Sequence, residues 1–183
     1  YDGNADLDKE AVLHKTNGKY TPEIWAGDFP ERALDSLDLV VLSPGVPTDL
    51  PLVKSFYEKG LPVWSEVELA YRTGKGEVLA ITGTNGKTTT TALLGKIMGD
   101  ARESVFVVGN IGTAYTSKSL EMREDSVTVA EISSFQLETI TDFRPDVSAI
   151  LNITPDHLNR HHTMENYIKA KCSITKNQTP DQT

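Results

Sequence analysis

The stretch that decides the fold is Val78-Leu79-Ala80-Ile81-Thr82-Gly83-Thr84-Asn85-Gly86-Lys87-Thr88-Thr89-Thr90. An apolar, β-capable run ends in a glycine turn, followed by Lys and Thr and then the helix-compatible Thr91-Ala92-Leu93-Leu94-Gly95-Lys96-Ile97-Met98. That order, strand, turn and helix N-terminus, is the order of a phosphate-binding loop: glycines let the backbone approach an anion, and unpaired N–H groups at the helix start point at it. Lys87 would bring a charge to the β/γ-phosphates and the Thr88 hydroxyl a ligand to Mg²⁺. The full G-x-x-x-x-G-K-[ST] pattern would have glycine where Ile81 stands, so the match is the shorter Gly83-x-x-Gly86-Lys87-Thr88. An ordinary βα turn is the alternative, and the flanking strand and helix argue against it.

Downstream, three further runs read as strands that end in polar residues. Val105–Val108 leads into Gly109-Asn110-Ile111-Gly112-Thr113. Residues 126–132 lead into Ser133-Ser134-Phe135-Gln136-Leu137-Glu138. Residues 147–153 lead into Thr154-Pro155-Asp156-His157. In an open α/β sheet the C-terminal ends of parallel strands share one edge, so these clusters and the loop around Lys87 are expected to converge. Glu131, at the end of an apolar strand, is costly to bury unless paired or cation-bound. Beside a phosphate loop the natural cation is Mg²⁺; a helix-capping role is the alternative. His157 reads equally as a metal ligand, an acid/base group or a structural histidine. His161 and His162 read as solvated loop residues. Lys169 and Lys171 read as surface lysines of an amphipathic helix over 164–172, and Cys172 as a small packing residue. The tail, 175–183, reads as frayed.

Upstream, residues 1–20 are polar and weakly periodic, with Gly3 and Asn17-Gly18 as turn signals. Residues 37–42 predict a buried strand broken by Ser43-Pro44-Gly45-Val46-Pro47. Residues 52–59 predict a helix stopped by Gly60, and 61–64 a short strand with Pro at its edge. From Ser65 a helix opens, with Ser65 and Glu68 as a capping box. The Ser43-Pro44-Gly45 turn is either a ligand loop at a strand's C-terminal edge or a plain βα turn. Thr73-Gly74-Lys75-Gly76-Glu77 reads as a linker between two units. Trp25 and Trp64 read as core or groove residues.

Composition narrows the class. Hydrophobic content of 38% and charged content of 24% suit a soluble globular chain able to bury a core. A formal net charge of −8, with no basic stripe, argues against nucleic-acid or anionic-membrane partners. The single cysteine excludes an internal disulfide, and no Cys/His spacing suggests structural zinc. No apolar run approaches the ~20 residues of a membrane span. The polar start at Tyr1-Asp2-Gly3 predicts no signal peptide, which makes a cytoplasmic location the expectation.

Five ordered segments together resemble the Mur ligases of peptidoglycan synthesis. They are Gly83–Thr89, Gly109-Asn110-Ile111-Gly112, Glu131–Glu138, Asn152-x-x-Pro155-Asp156-His157-Leu158 and Tyr167-x-x-Ala170-Lys171. Ser-Ser-Phe-Gln-Leu-Glu and Asn-Ile-Gly resemble the branch of that family that adds D-glutamate, and Ser43-Pro44-Gly45-Val46 resembles the family's loop near the uridine-diphosphate sugar. The similarity runs from about residue 36 to 175.

The resemblance implies an α/β fold in two truncated parts. Residues 1–75 would be a partial Rossmann-like, UDP-sugar-binding N-terminal domain. Residues 76–183 would be a partial P-loop central domain, ATP-binding, with a mostly parallel sheet. The family's C-terminal domain, which closes over ATP and contacts D-glutamate, would lie outside the chain, so turnover by the chain alone is not expected. The implied reaction joins D-glutamate to UDP-N-acetylmuramoyl-L-alanine through an acyl phosphate made with ATP. Gly83, Thr84, Asn85, Gly86, Lys87, Thr88 and Thr89 would cradle ATP. Thr88 and Glu131 would hold one Mg²⁺, and His157 a second, bridged by a carbamate on Lys171. Lys87, His157 and Lys171 would be catalytic, while Ser43, Pro44, Gly45, Asn110, Ser133 and Gln136 would contact substrate. The full-length parent is expected to be monomeric, in the cytoplasm. Two alternatives stand beside this: a folylpolyglutamate synthase-like ligase, and a non-catalytic nucleotide- or UDP-sugar-binding module.

Overall fold

The structure is a computed structural model that describes residues 1–16 and 18–183. It has mostly parallel α/β architecture and divides into two compact units, Tyr1–Asp38 and Leu39–Thr183. In the first unit α1 (Lys9–His14) is capped by Asp8, whose Oδ1 accepts from the Ala11 N–H at 3.0 Å. Asp2 bridges to Ala26, and Tyr1 and Trp25 both pack edge-on against Phe29. Of the Asn17-Gly18 turn signal, Asn17 lies outside the described residues, and Gly18 takes φ +69.

The second unit opens with β1 (Val40–Leu42), α2 (Pro51–Glu58), β2 (Val63–Ser65) and α3 (Glu66–Thr73), with β1 and β2 paired in parallel. Helix α2 begins on a proline, whose missing N–H costs nothing there, and Gly60 follows its end at φ +71. A four-stranded parallel sheet follows, built of β3 (Glu77–Thr82), β4 (Val105–Gly109), β5 (Val127–Glu131) and β6 (Val147–Ile150) in the order β4-β5-β3-β6. Strand alternation gives the sheet two apolar faces. Ile81, Val127 and Val129 pack under Leu94 and Met98 of α4 (Lys87–Ala101). Val78, Ala80, Ala130 and Ile132 pack on the other face against Val67 and Ala70 of α3, together with Leu137, Phe143 and Ile174. Helix α3, which precedes the linker expected at 73–77, therefore belongs to the core of the four-stranded sheet.

Several local expectations need correction. The capping box at Ser65 forms by half: Ser65 Oγ accepts from the Glu68 N–H at 3.2 Å, but the Ser65 N–H donates to Thr139 O instead. Glu68, fully buried, accepts from the backbone N–H groups of Thr141, Asp142 and Phe143, each at 2.9 Å, and pairs with Arg72 at 2.7 Å. The reciprocal box is at Ser133 and Gln136, and it opens α6 (Ser134–Leu137). Residues 73–77 do not behave as a loose linker: a Cβ on Gly76 would lie 2.2 Å from Ser126 O. Strand β6 ends at Ile150, earlier than expected, although the Leu151 N–H still donates to Thr82 O at 3.0 Å. The tail is not frayed, since the Asn177 side chain donates to Thr141 O and Phe143 O, and the Gln178 side chain bonds Ser148 and Pro145. Trp64 is half-buried under the Arg72 guanidinium, 4.2 Å from the ring centre. The short helices α5 (Thr116–Ser119) and α7 (Leu158–His161) lie where no helix is predicted from the sequence, and α8 (Met164–Cys172) lies where a helix is expected.

Candidate functional site

The turn from β3 into α4 has its sharpest point at Gly86, the helix N-cap, in left-handed conformation at φ +86. An L side chain is disfavoured there, which is the physical reason for glycine. The first helical bond runs from the Thr90 N–H to Gly86 O, so the N–H groups of Lys87, Thr88 and Thr89 precede the ladder. Among the described residues no side chain caps the helix. Lys87 folds back over the loop, its Nζ donating to Gly83 O and Thr84 O at 3.0 Å each. Ile81, at the position where the longer motif has glycine, is a strand residue buried against Val127 and Val129.

The segment that follows β6 holds this loop in place. Asn152 accepts from the Asn85 N–H at 2.9 Å and donates to Asn85 O at 3.0 Å, while the Thr84 N–H donates to Asn152 O. From α8, the Tyr167 hydroxyl lies 3.0 Å from Thr84 Oγ1. Lys171, 2% exposed, donates from Nζ to Gly83 O at 2.7 Å and sits 4.7 Å from the centre of the Tyr167 ring. Lys171 is thus no surface lysine. Tyr167 and Lys171 are four residues apart and share the buried face of α8. Burial, then the positive charge of Lys87, pulls the Lys171 pKa down to about 8, with Asp156 opposing.

Glu131, 2% exposed, ends β5. Asn110, just past β4, donates to Glu131 Oε1 at 3.1 Å, and its backbone N–H donates to Glu131 O at 2.8 Å. That approach requires Gly109, at φ +124: a Cβ there would stand 2.1 Å from Glu131 O. After β6, His157 occupies left-handed backbone at φ 51, a conformation that a non-glycine residue adopts at a cost. Its ring packs 4.9 Å from Phe135 and lies 3.5 Å from Asp156 Oδ2.

These strand ends meet around one cavity of about 200 Å³, lined by Thr84, Lys87, Asn110, Ser133, Ser134, Phe135, Asp156, His157, Tyr167 and Lys171. Each of the four parallel strands contributes to it through the segment that follows it. The other expected site residues lie elsewhere. Thr88 and Thr89 are exposed on the first turn of α4, and Asn85 and Gly86 on the loop. Gln136 is buried, its Oε1 accepting from the Ser133 N–H at 2.9 Å and Ser133 Oγ at 3.0 Å. Ser43-Pro44-Gly45 forms a separate turn after β1, closed by the Val46 N–H donating to Ser43 O at 3.0 Å.

Two expectations about single residues are overturned nearby. His161 is 5% exposed, with Nε2 2.9 Å from Ser134 Oγ and its ring stacked on Phe135, and burial lowers its pKa. Cys172 is exposed, because it follows the inward-facing Lys171 around the helix. Phe135, Asp156 and Tyr167 line the cavity although the residue-level reading singled out none of them for a site. The four-residue spacing of Tyr167 and Lys171 is the signal that could have flagged the tyrosine. His162 is exposed, as expected.

Among the described residues no group of three or more His, Cys, Asp or Glu side chains is arranged to hold a metal ion. The donor set nonetheless suits Mg²⁺, which takes one or two carboxylates and completes its shell with water and phosphate oxygens. Glu131 supplies such a carboxylate, and Thr88 a hydroxyl at the start of α4. No described helix is long and apolar enough to cross a membrane.

The family model of the Mur ligase middle domain matches residues 81–183. Over all 183 residues the chain is 59% identical to the protein named UDP-N-acetylmuramoylalanine--D-glutamate ligase of Lachnospira eligens, covering 40% of it. It is also 59% identical, with the same coverage, to the protein of that name from Lachnoclostridium phytofermentans. The chain thus spans about 40% of the length of the curated relatives it matches. Among solved structures, UDP-N-acetylmuramate:L-alanyl-gamma-D-glutamyl-meso-diaminopimelate ligase from Neisseria meningitides shares the fold, with TM-score 0.59 and 14% identity over 99% of this chain and 60% of that one. With more than half of its length matched by the family model, the chain belongs to the Mur ligases and carries their middle domain.

Proposed function

We propose that the chain is the ATP-binding and sugar-nucleotide-facing part of an amide ligase that joins D-glutamate to UDP-N-acetylmuramoyl-L-alanine. The observation that carries the proposal is the cavity where the glycine loop, Asn110, Ser133, His157 and Lys171 meet at the ends of four parallel strands. Residues 1–75 are read as part of the UDP-sugar domain and 76–183 as part of the ATP domain, with α3 packed on the latter. Cytoplasmic location, a monomeric parent, and no nucleic-acid or membrane partner go with this reading.

The chemistry follows from charge. An alanyl carboxylate oxygen attacks the γ-phosphorus of ATP, ADP leaves, and an acyl phosphate results. The D-glutamate amine then attacks the acyl carbon and loses a proton, and inorganic phosphate departs from the tetrahedral intermediate. Catalysis of this kind rests on positioning and on neutralising phosphate charge. Gly83, Thr84, Asn85 and Gly86 shape the loop, and the N–H groups of Lys87, Thr88 and Thr89 face the phosphates. Lys87 exchanges its two loop carbonyls for β/γ-phosphate oxygens. Asn110 and Ser133 orient the alanyl arm, with Gln136 fixing Ser133 by the reciprocal cap. Ser43, Pro44 and Gly45 contact the sugar nucleotide.

Thr88 and Glu131 would hold one Mg²⁺, and His157 with a carbamylated Lys171 a second. Bound there, the ions would neutralise charge on the phosphate oxygens. The lowered pKa of Lys171 favours the modification: near pH 7 about one amine in ten is neutral, against fewer than about one in a thousand at the ordinary lysine pKa. The neutral nitrogen attacks CO₂, a C–N bond forms, and one proton is released.

The test uses the full-length ligase carrying this chain. Lys87→Ala and Glu131→Ala are expected to abolish formation of the D-glutamyl product while leaving the unfolding midpoint within a few degrees of wild type. Near-normal turnover in either would sink the site assignment. UDP-sugar should compete with substrate and folate should not; the reverse would move the chain to folate chemistry. Nucleotide binding with no phosphate release would make it a binding module.

A further inference from the structure

Arg160 on α7 joins three parts of the second unit. Its Nη2 donates to Val46 O at 2.9 Å and to Glu138 Oε2 at 2.5 Å, and its Nε donates to Glu138 Oε1 at 3.3 Å. The guanidinium also lies 5.2 Å from the centre of the Phe135 ring. Arg160 and Glu138 side chains are only 13% and 14% exposed, so water screens the pair weakly. Glu138, just past α6, further accepts from Thr48 Oγ1 at 3.4 Å and faces His161 Nδ1 at 3.5 Å. These contacts lie outside the cavity already described; none of Val46, Glu138 or Arg160 lines it.

The geometry ties two loops together. Val46 closes the Ser43–Val46 turn with its N–H and offers its carbonyl to Arg160. On the other side, Arg160 lies on the helix that His157 caps, and Phe135 touches both residues. A planar guanidinium can serve a carbonyl, a carboxylate and an aromatic face at once; an ammonium cannot. We propose that Arg160, held by Glu138, is a positioning residue that fixes the Ser43–Val46 turn against α6 and α7 and thereby sets affinity for the sugar-nucleotide substrate. The inference rests on the reading that this turn contacts that substrate.

The test compares Arg160→Lys, Glu138→Gln and Ser43→Ala in the full-length ligase, measuring KM for UDP-N-acetylmuramoyl-L-alanine, KM for ATP, kcat and the unfolding midpoint. Arg160→Lys should raise the sugar-nucleotide KM about tenfold, the worth of one charge-assisted contact. The ATP KM should stay within about twofold. Glu138→Gln, which keeps one acceptor for the guanidinium, should give a smaller rise in the same constant and serves if Arg160→Lys unfolds. Unchanged KM values, or both rising together with a fallen midpoint, would overturn the inference. If Ser43→Ala raises the sugar-nucleotide KM and Arg160→Lys does not, the inference falls while the substrate reading stands. If neither variant moves it, the substrate reading of the turn falls and takes the inference with it.

Discussion

Glu68 joins α3 to a turn far along the chain. Its carboxylate is fully buried and closes the 141–143 turn through three backbone N–H groups. Burial alone would raise its pKa, but the hydrogen bonds from Asp142, Thr141 and Phe143 outweigh it, and the pKa falls below the ordinary 4.5. The folded state therefore binds fewer protons than the unfolded one in that range. The stabilisation is complete above about pH 4.5 and is lost as pH falls through the lower folded value. Glu68→Gln puts an amide donor among three donors and should cost about 3 kcal/mol at pH 7. It should also flatten the acid limb of stability against pH, which denaturant titrations at pH 3 to 7 would show. The sequence marks this glutamate as a helix cap because spacing of three fits a capping box, but it does not show the turn at 141–143 arriving from 73 residues away. Lys171 and His161 read as exposed in the sequence for the same reason. Spacing reveals which residues share a helix face, whereas burial depends on what packs against that face.

At the scale of elements, the strand–loop–helix around Lys87 and the strands after it were legible. Apolar runs of strand length ending in glycine and polar residues have few other solutions. The short helices α5, α6 and α7 were not, because about one turn of helix leaves no periodicity to read and owes its existence to caps and tertiary contacts. The join between β4 and β5 shows how tightly the elements are set: Gly109→Ala would drive a methyl group into Glu131 O. That variant should lose about 2 kcal/mol or more in chemical denaturation, since backbone must move and φ +124 disfavours any side chain. Asn152→Ala removes both side-chain bonds that hold Asn85. It should weaken Mg·ATP binding by about three- to tenfold, read by calorimetry, through looser loop geometry. Unaltered affinity would show that Asn152 does not organise the loop.

Across the molecule, apolar surface remains uncovered. Leu93 and Ile97 on α4 are 59% and 53% exposed, Val107 on β4 is 45% exposed, and β4, paired to β5, ends the order of strands among the described residues. Open edges and apolar faces favour association. The isolated chain should self-associate at tens of micromolar concentration in sedimentation velocity, and Leu93→Glu with Ile97→Glu should shift it toward monomer; a chain already monomeric at that concentration would contradict this. Membership of the Mur ligases was legible because five motifs recur in order along the chain. The packing of α3 onto the core of the four-stranded sheet was not, because Val67 and Ala70 look in sequence like part of the preceding unit.

The phosphate site is tested by calorimetric titration of this chain and its Lys87→Ala variant with Mg·ATP. Saturable binding to the chain is expected, with a loss of affinity of about tenfold or more in the variant, because Lys87 supplies a charge-assisted contact to the phosphates. Equal binding by both proteins, or binding by neither, would contradict the claim that these strand ends form a phosphate site.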